Sequence, residues 1–133
     1  MSIKYYLDEN LTSRINEIVD VLDMGHVDTL RVVAMRSKGS GARRTLARCY
    51  ALSKIWQLAL DTKAHYIIEV ISEKFDGLSK DEQDKVLIHE LAHIPFSFGG
   101  GFKHHGNWVT HDRVEMLYRA YKNKKSIRSE PFL

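Results

Sequence analysis

Apolar positions recur along the chain in two periods, and the changes of period mark out the elements. Leu11, Ile15, Ile18 and Leu22 stand at i, i+4, i+7 and i+11, one face of a helix over about Glu9 to Leu22. Asp8 or Asn10 can cap its start, and Gly25 can end it. From Val27 to Met35 (VDTLRVVAM) the β-branched pair Val32 and Val33 favours a strand. Ser37 to Gly41 (SKGSG) has loop composition. Residues 42–60 fit both periods: Leu52, Ile55, Trp56, Ala59 and Leu60 recur as in a helix, while 46–51 alternate loosely. Trp56 is expected in the core. Residues 64–71 (AHYIIEVI) read as a strand with Tyr66, Ile68 and Val70 on one face and Glu69 on the other, exposed one.

Ser79-Lys80-Asp81-Glu82 is a capping box, and the helix it opens should run to about Ile94. Pro95 disfavours helical geometry at Ile94, and Gly99-Gly100-Gly101 cannot sustain a helix. A last helix is predicted over about Thr110 to Lys122, with Val114, Leu117, Tyr118 and Tyr121 on its apolar face. These elements make an α+β domain over residues 1–122. Residues 123–133 read as a solvated, basic, flexible tail.

Composition narrows the classes. At 133 residues the chain suits one domain, and 44% apolar with 28% charged residues describes a globular one. Apolar runs reach only four residues, as in Val32 to Met35, too short to span a membrane. The N-terminus has no apolar stretch of the signal-peptide kind. Cys49 is the one cysteine, which excludes an internal disulfide and points to an intracellular, cytoplasmic setting. With no base placed near it, Cys49 reads as a small buried hydrophobe.

Five of the seven histidines (His89, His93, His104, His105, His111) fall between positions 89 and 111. His89-Glu90-Leu91-Ala92-His93 has the H-E-x-x-H spacing, which shuffling of this composition yields in roughly 2 chains in 100. On a helix with His89 at 0°, His93 lies near 40°, and Leu87, Leu91 and Ile94 lie on the far side, at about 140–200°. That helix can dock on a core and still present both imidazoles to a cleft. Two neutral imidazoles at i and i+4 can reach one metal ion. Glu90 points beside the metal and is placed to take a proton from a metal-bound water. An all-imidazole site suits zinc, Zn2+, best.

A catalytic zinc needs a third protein ligand. Six residues past His93 stands Gly99, so the metzincin spacing is absent. Glu115, 22 residues on, fits the thermolysin-like pattern, while His104, His105 and His111 are 11, 12 and 18 residues on.

The motif followed by His105-Gly106-Asn107-Trp108 resembles SprT/Spartan-type metallopeptidases, whose third ligand is the histidine of an H-G-x-x-aromatic pattern. AHYIIEVI, then F-D-x-L, then VLIHELAHIP resembles a small metallopeptidase domain family of archaea and phages. The resemblance covers roughly Val27 to Tyr121. It implies His89, His93 and His105 as zinc ligands and Glu90 as general base. Trp108, just past His105, is expected to pack the loop down and fix that ring. The resemblance also implies a minimal zincin, or minigluzincin-like, fold: an N-terminal helix, a small mostly antiparallel sheet, the active-site helix and a closing helix. Residues 42–60 would then be largely strand, and an extended peptide substrate would pair with the edge of the sheet.

Charge adds a second expectation. Arg31, Arg36, Lys38, Arg43, Arg44, Arg48 and Lys54 fall between Thr29 and Leu60, where there is no acidic residue. With Tyr50 and Trp56 for stacking, such a stretch suits weak, non-specific DNA binding, and Arg36, Lys38, Arg43, Arg44 and Arg48 are its candidate contacts. SprT/Spartan-like proteases act on DNA-bound proteins. The rival to a peptidase is a non-catalytic, metal-stabilised module that binds nucleic acid or another partner.

Overall fold

The computed structural model describes residues 2–103, 105 and 108–129. Strand β1 (Lys4–Leu7) leads directly into helix α1 (Glu9–Val21). Asp8 caps that helix, its carboxylate accepting from the Leu11 amide at 3.0 Å. A 3-10 turn at Thr29–Arg31 precedes β2 (Val32–Lys38). Ser37 and Lys38 therefore extend the strand, and the loop starts only at Gly39. The ambiguous stretch divides: β3 (Ala47–Ala51) is followed by helix α2 (Lys54–Leu60). The expectation that 42–60 is largely strand is corrected for its second half. Trp56 is also corrected, since it is 57% exposed on α2. Gln57 is the buried residue of that helix, so its apolar residues face outward around a polar one that faces in.

Strand β4 (Tyr66–Ile71) runs into a short helix α3 (Ser72–Phe75), then helix α4 (Lys80–Leu91), which carries His89 and Glu90, and the closing helix α5 (His111–Arg128). The sheet order is β1-β2-β4-β3. β1 and β3 pair antiparallel with their neighbours, and β2 pairs parallel with β4. The result is an α+β fold with a mostly antiparallel sheet, compatible with a small zincin-like fold. Strand β3 is an edge.

Val32 and Ala34 of β2 and Tyr66, Ile68 and Val70 of β4 are all buried on one face of the sheet. They meet Leu11, Ile15 and Ile18 of α1 and Leu87, Ile88 and Leu91 of α4 in a single core. Glu69, on the opposite face, is not exposed as its alternation predicts. It is 2% accessible, because Tyr50 donates to its Oε1 and Arg48, its partner across the β3–β4 ladder, lies 3.6 Å from Oε2. Of the expected tail, residues 130–133 lie outside the described residues, and 123–128 are helical. Helix α5 continues to Arg128, where Lys124, Lys125 and Arg128 pair with Asp23, Glu17 and Asp20 of α1 and the turn after it. No described helix is long and apolar enough to cross a membrane.

Candidate metal centre and active-site cleft

Helix α4 starts as its capping box predicts, with Ser79 Oγ accepting from the Glu82 amide at 3.2 Å. Its rear residues Leu87, Ile88 and Leu91 are at most 1% exposed, which turns His89 outward. Regular helix stops at Leu91, short of the Ile94 expected. The next turn tightens, with His93 N–H bonding to Glu90 O at 3.2 Å and Ile94 N–H to Leu91 O at 3.1 Å. The two imidazoles nevertheless stay adjacent, with ring centroids 5.1 Å apart.

His93 is buried, and its orientation is imposed by the strand-like segment that follows the glycines. Its Nδ1 bonds to the carbonyl of Lys103. A carbonyl can only accept, so Nδ1 carries the proton and the lone pair of the neutral ring lies on Nε2. The Lys103 amide bonds back to the His93 carbonyl at 2.7 Å. Phe102 stacks on the His93 ring at 4.5 Å and 11°. The chain then brings His105 over α4, its Nε2 2.9 Å from His89 Nε2 and its ring 4.8 Å from that of His93.

One ligand atom from each of His89, His93 and His105 lies within 4.8 Å of the others. Three nitrogens bound tetrahedrally to one zinc at 2.0–2.1 Å would stand about 3.3 Å apart. The arrangement fits an ion of that size after side-chain adjustments of an ångström or so. Protonation agrees with this. Burial, with the neighbouring His93 and His105 rings, pushes the His89 imidazole down to about 4, so it is neutral at neutral pH, as a ligand must be.

Glu90 is buried beside the triad, its Oε1 4.0 Å from His93 Nε2. Burial pushes its carboxyl up to about 7, in the range where a general base works best near neutral pH. A cleft of about 560 Å³ opens in front of it, walled by Leu46 and Ala47 at the β3 edge, by His89 and Glu90, and by Val109 and Val114.

A family model described as "Putative phage metallopeptidase" matches residues 3–125. The chain belongs to that family. No curated protein and no solved structure matches the chain. The match bears on the metallopeptidase family as a whole and not on the SprT/Spartan affiliation.

Among the described residues, Glu115 and His111 fall outside the group of three converging imidazoles. Glu115 lines the cleft but pairs with Lys85 at 3.0 Å, and His111 is exposed in the first turn of α5. His104, with Gly106 and Asn107, lies outside the described residues. Trp108 packs the loop down as expected. Its ring meets Phe96 edge-on at 5.4 Å and carries Lys103 Nζ and the Arg113 guanidinium at 3.5 and 3.8 Å.

The five basic candidates are not equivalent in this fold. Arg36 bonds to Asp8 and Asp76 at 2.6 Å each, and Arg48 sits against Glu69, so acids distant in sequence neutralise both. Lys38, Arg43 and Arg44 are exposed. Cys49 packs against the core, and burial, reinforced by nearby Glu90, raises its thiol to about 12, so it is no nucleophile. Sequence reasoning missed the groups that hold the loop, namely Phe102, the Lys103 carbonyl, the Tyr66 hydroxyl and Gln57. Only Gln57 left a trace, as a polar residue amid the apolar positions of KIWQLAL.

Proposed function

We propose that this family member is a zinc-dependent peptidase in which His89, His93 and His105 hold the ion and Glu90 is the general base. The observation that carries the reading is the convergence of three imidazoles beside a buried carboxylate at the floor of a cleft. A zinc ion there would supply Lewis acidity toward a peptide carbonyl and lower the pKa of a water to about 7. Glu90 accepts that water's proton on its carboxylate and later returns it to the departing amine. The free edge of β3 forms one wall of the cleft, where an extended peptide can add as a further strand. Main-chain pairing of that kind makes cleavage tolerant of sequence.

Association with nucleic acid, as part of the same proposal, falls on Lys38, Arg43 and Arg44. Arg44 also lines the cleft, so a protein held on a polyanion would lie close to Glu90. The deciding experiment is metal content per chain together with cleavage of an unfolded protein by wild type and Glu90→Gln. One zinc per chain in both, with hydrolysis only in the wild type, supports the reading. Stoichiometric zinc with no hydrolysis of any peptide by the wild type favours a structural metal.

A further inference from the structure

The third histidine reaches the other two along a segment that is fastened at every residue from Gly99 to Lys103. Gln57 Nε2 donates to the carbonyls of Leu52 at 2.8 Å and Gly99 at 3.0 Å. The Tyr66 hydroxyl accepts from the Gly100 amide at 3.0 Å and donates to the Gly101 carbonyl at 2.7 Å. Phe102 and Lys103 then clasp His93. Gly100 is pressed onto this floor. A Cβ there would lie 2.4 Å from Gln57 Nε2 and 2.5 Å from the Leu52 carbonyl oxygen, and its φ of +99° suits glycine alone.

We infer that Tyr66 and Gln57 are positioning residues for the metal centre: they set the path of residues 99–103 and thereby hold His105 against His89 and His93. The inference rests on the metal reading above. Neither side chain belongs to the imidazole group itself, and each acts through the backbone of the glycine triplet. The physical reason is entropic. A ligand carried on an unfastened glycine-rich loop must give up that loop's freedom on binding. If only a fraction of molecules holds His105 in place, metal affinity falls by that fraction. Tyr66 is fully buried on β4, on the rigid sheet, and Gln57 is the buried residue of α2. Sheet and helix thus lend their rigidity to three residues that have no side chain of their own to pack.

The test is a zinc-affinity cycle on the full chain, read by competition with a chromogenic chelator. Tyr66→Phe should weaken zinc binding about 10–100-fold, the usual effect of losing a group that supports a ligand. Gln57→Met, which keeps the shape and removes both donated bonds, should weaken it in the same direction. In a His105→Ala background both substitutions should cost several-fold less than in the wild type, because the ligand they chiefly position is gone and only the clasp on His93 remains to transmit them. Cobalt absorption gives a second readout: the Tyr66→Phe spectrum should move toward that of His105→Ala. If Tyr66→Phe does not fold in chelator, the Gln57→Met arm decides. Unchanged affinity, or equal losses with and without His105, overturns the inference while leaving the metal reading intact. A wild type that binds no zinc overturns the metal reading first and this inference with it.

Discussion

Lys103 grips His93 from two sides, its amide bonding to the His93 carbonyl at 2.7 Å and its carbonyl accepting from the His93 imidazole Nδ1. The pair makes one short ladder between the turn that ends helix α4 and the returning chain. It selects the His93 tautomer and anchors the segment that carries His105. A main-chain carbonyl cannot be mutated away, so the tautomer is insensitive to the side chain at 103.

That insensitivity is itself a prediction. Lys103→Ala should leave zinc affinity within about 3-fold of wild type, since the backbone bonds persist. His93→Ala and His89→Ala should each abolish stoichiometric zinc. Metal analysis after gel filtration reads both outcomes.

The third ligand is tested against its rivals. His105→Ala should lower zinc affinity by at least about 100-fold, while Glu115→Ala and His104→Ala keep the metal. Glu115 is already paired with Lys85, so its loss removes only a surface ion pair. Zinc loss in Glu115→Ala with retention in His105→Ala would assign the site to the thermolysin-like pattern.

Glu90 should make the metal-free protein less stable as pH rises. Burial places its folded pKa at about 7, above the ordinary 4.5, so the native state holds the proton more tightly than the unfolded chain. Stability is complete below pH 4.5 and is lost as pH rises through 7. In chelator at pH 8, Glu90→Gln should therefore be more stable than wild type by about 1–3 kcal/mol, and the two should converge near pH 4.5. Urea denaturation at both pH values measures this, and a gap independent of pH would refute it.

Asp8 works in the opposite sense. Burial raises its pKa, but the Leu11 amide and the Arg36 guanidinium outweigh that and hold the carboxyl below the usual range. Its stabilisation is present above its ordinary pKa and lost as pH falls through the lowered one. Asp8→Ala should cost about 1–3 kcal/mol at pH 7, as a lost helix cap and a broken ion pair, and progressively less as pH falls below the ordinary carboxylate range.

Nucleic-acid association should depend on the exposed bases Lys38, Arg43 and Arg44. Binding to single-stranded DNA at low salt should weaken steeply as salt is added, and should fall further in Arg43→Glu/Arg44→Glu. Arg36→Ala should change it little, since that guanidinium is held by Asp8 and Asp76. No binding at low salt, or binding indifferent to the double change, leaves a peptidase without a nucleic-acid partner.

Where local interactions sufficed, the sequence by itself determined the outcome. The caps at Asp8 and Ser79, the apolar face of α1 and the Tyr66-Ile68-Val70 face of β4 all follow from periodicity and short-range hydrogen bonds. The placing of His89 and His93 side by side needs only the local geometry of the helix and the tighter turn that ends it. Tertiary structure decided what depends on contacts between distant residues. Residues 42–60 split into strand and helix because β3 finds β4 to pair with, while α2 seats Gln57 on Leu52 and Gly99. Glu69 is covered by side chains of the neighbouring strand, and α5 runs on past Lys122 because α1 supplies acids for its last turns. Arg36, one of a run of bases in sequence, is matched by Asp8 and Asp76, 28 and 40 residues away. His105 joins His89 because Gln57, Tyr66 and the Lys103 carbonyl fasten a glycine-rich segment that has no conformational preference of its own. Periodicity reports which face a residue takes; it carries no information about which distant backbone will hold it there.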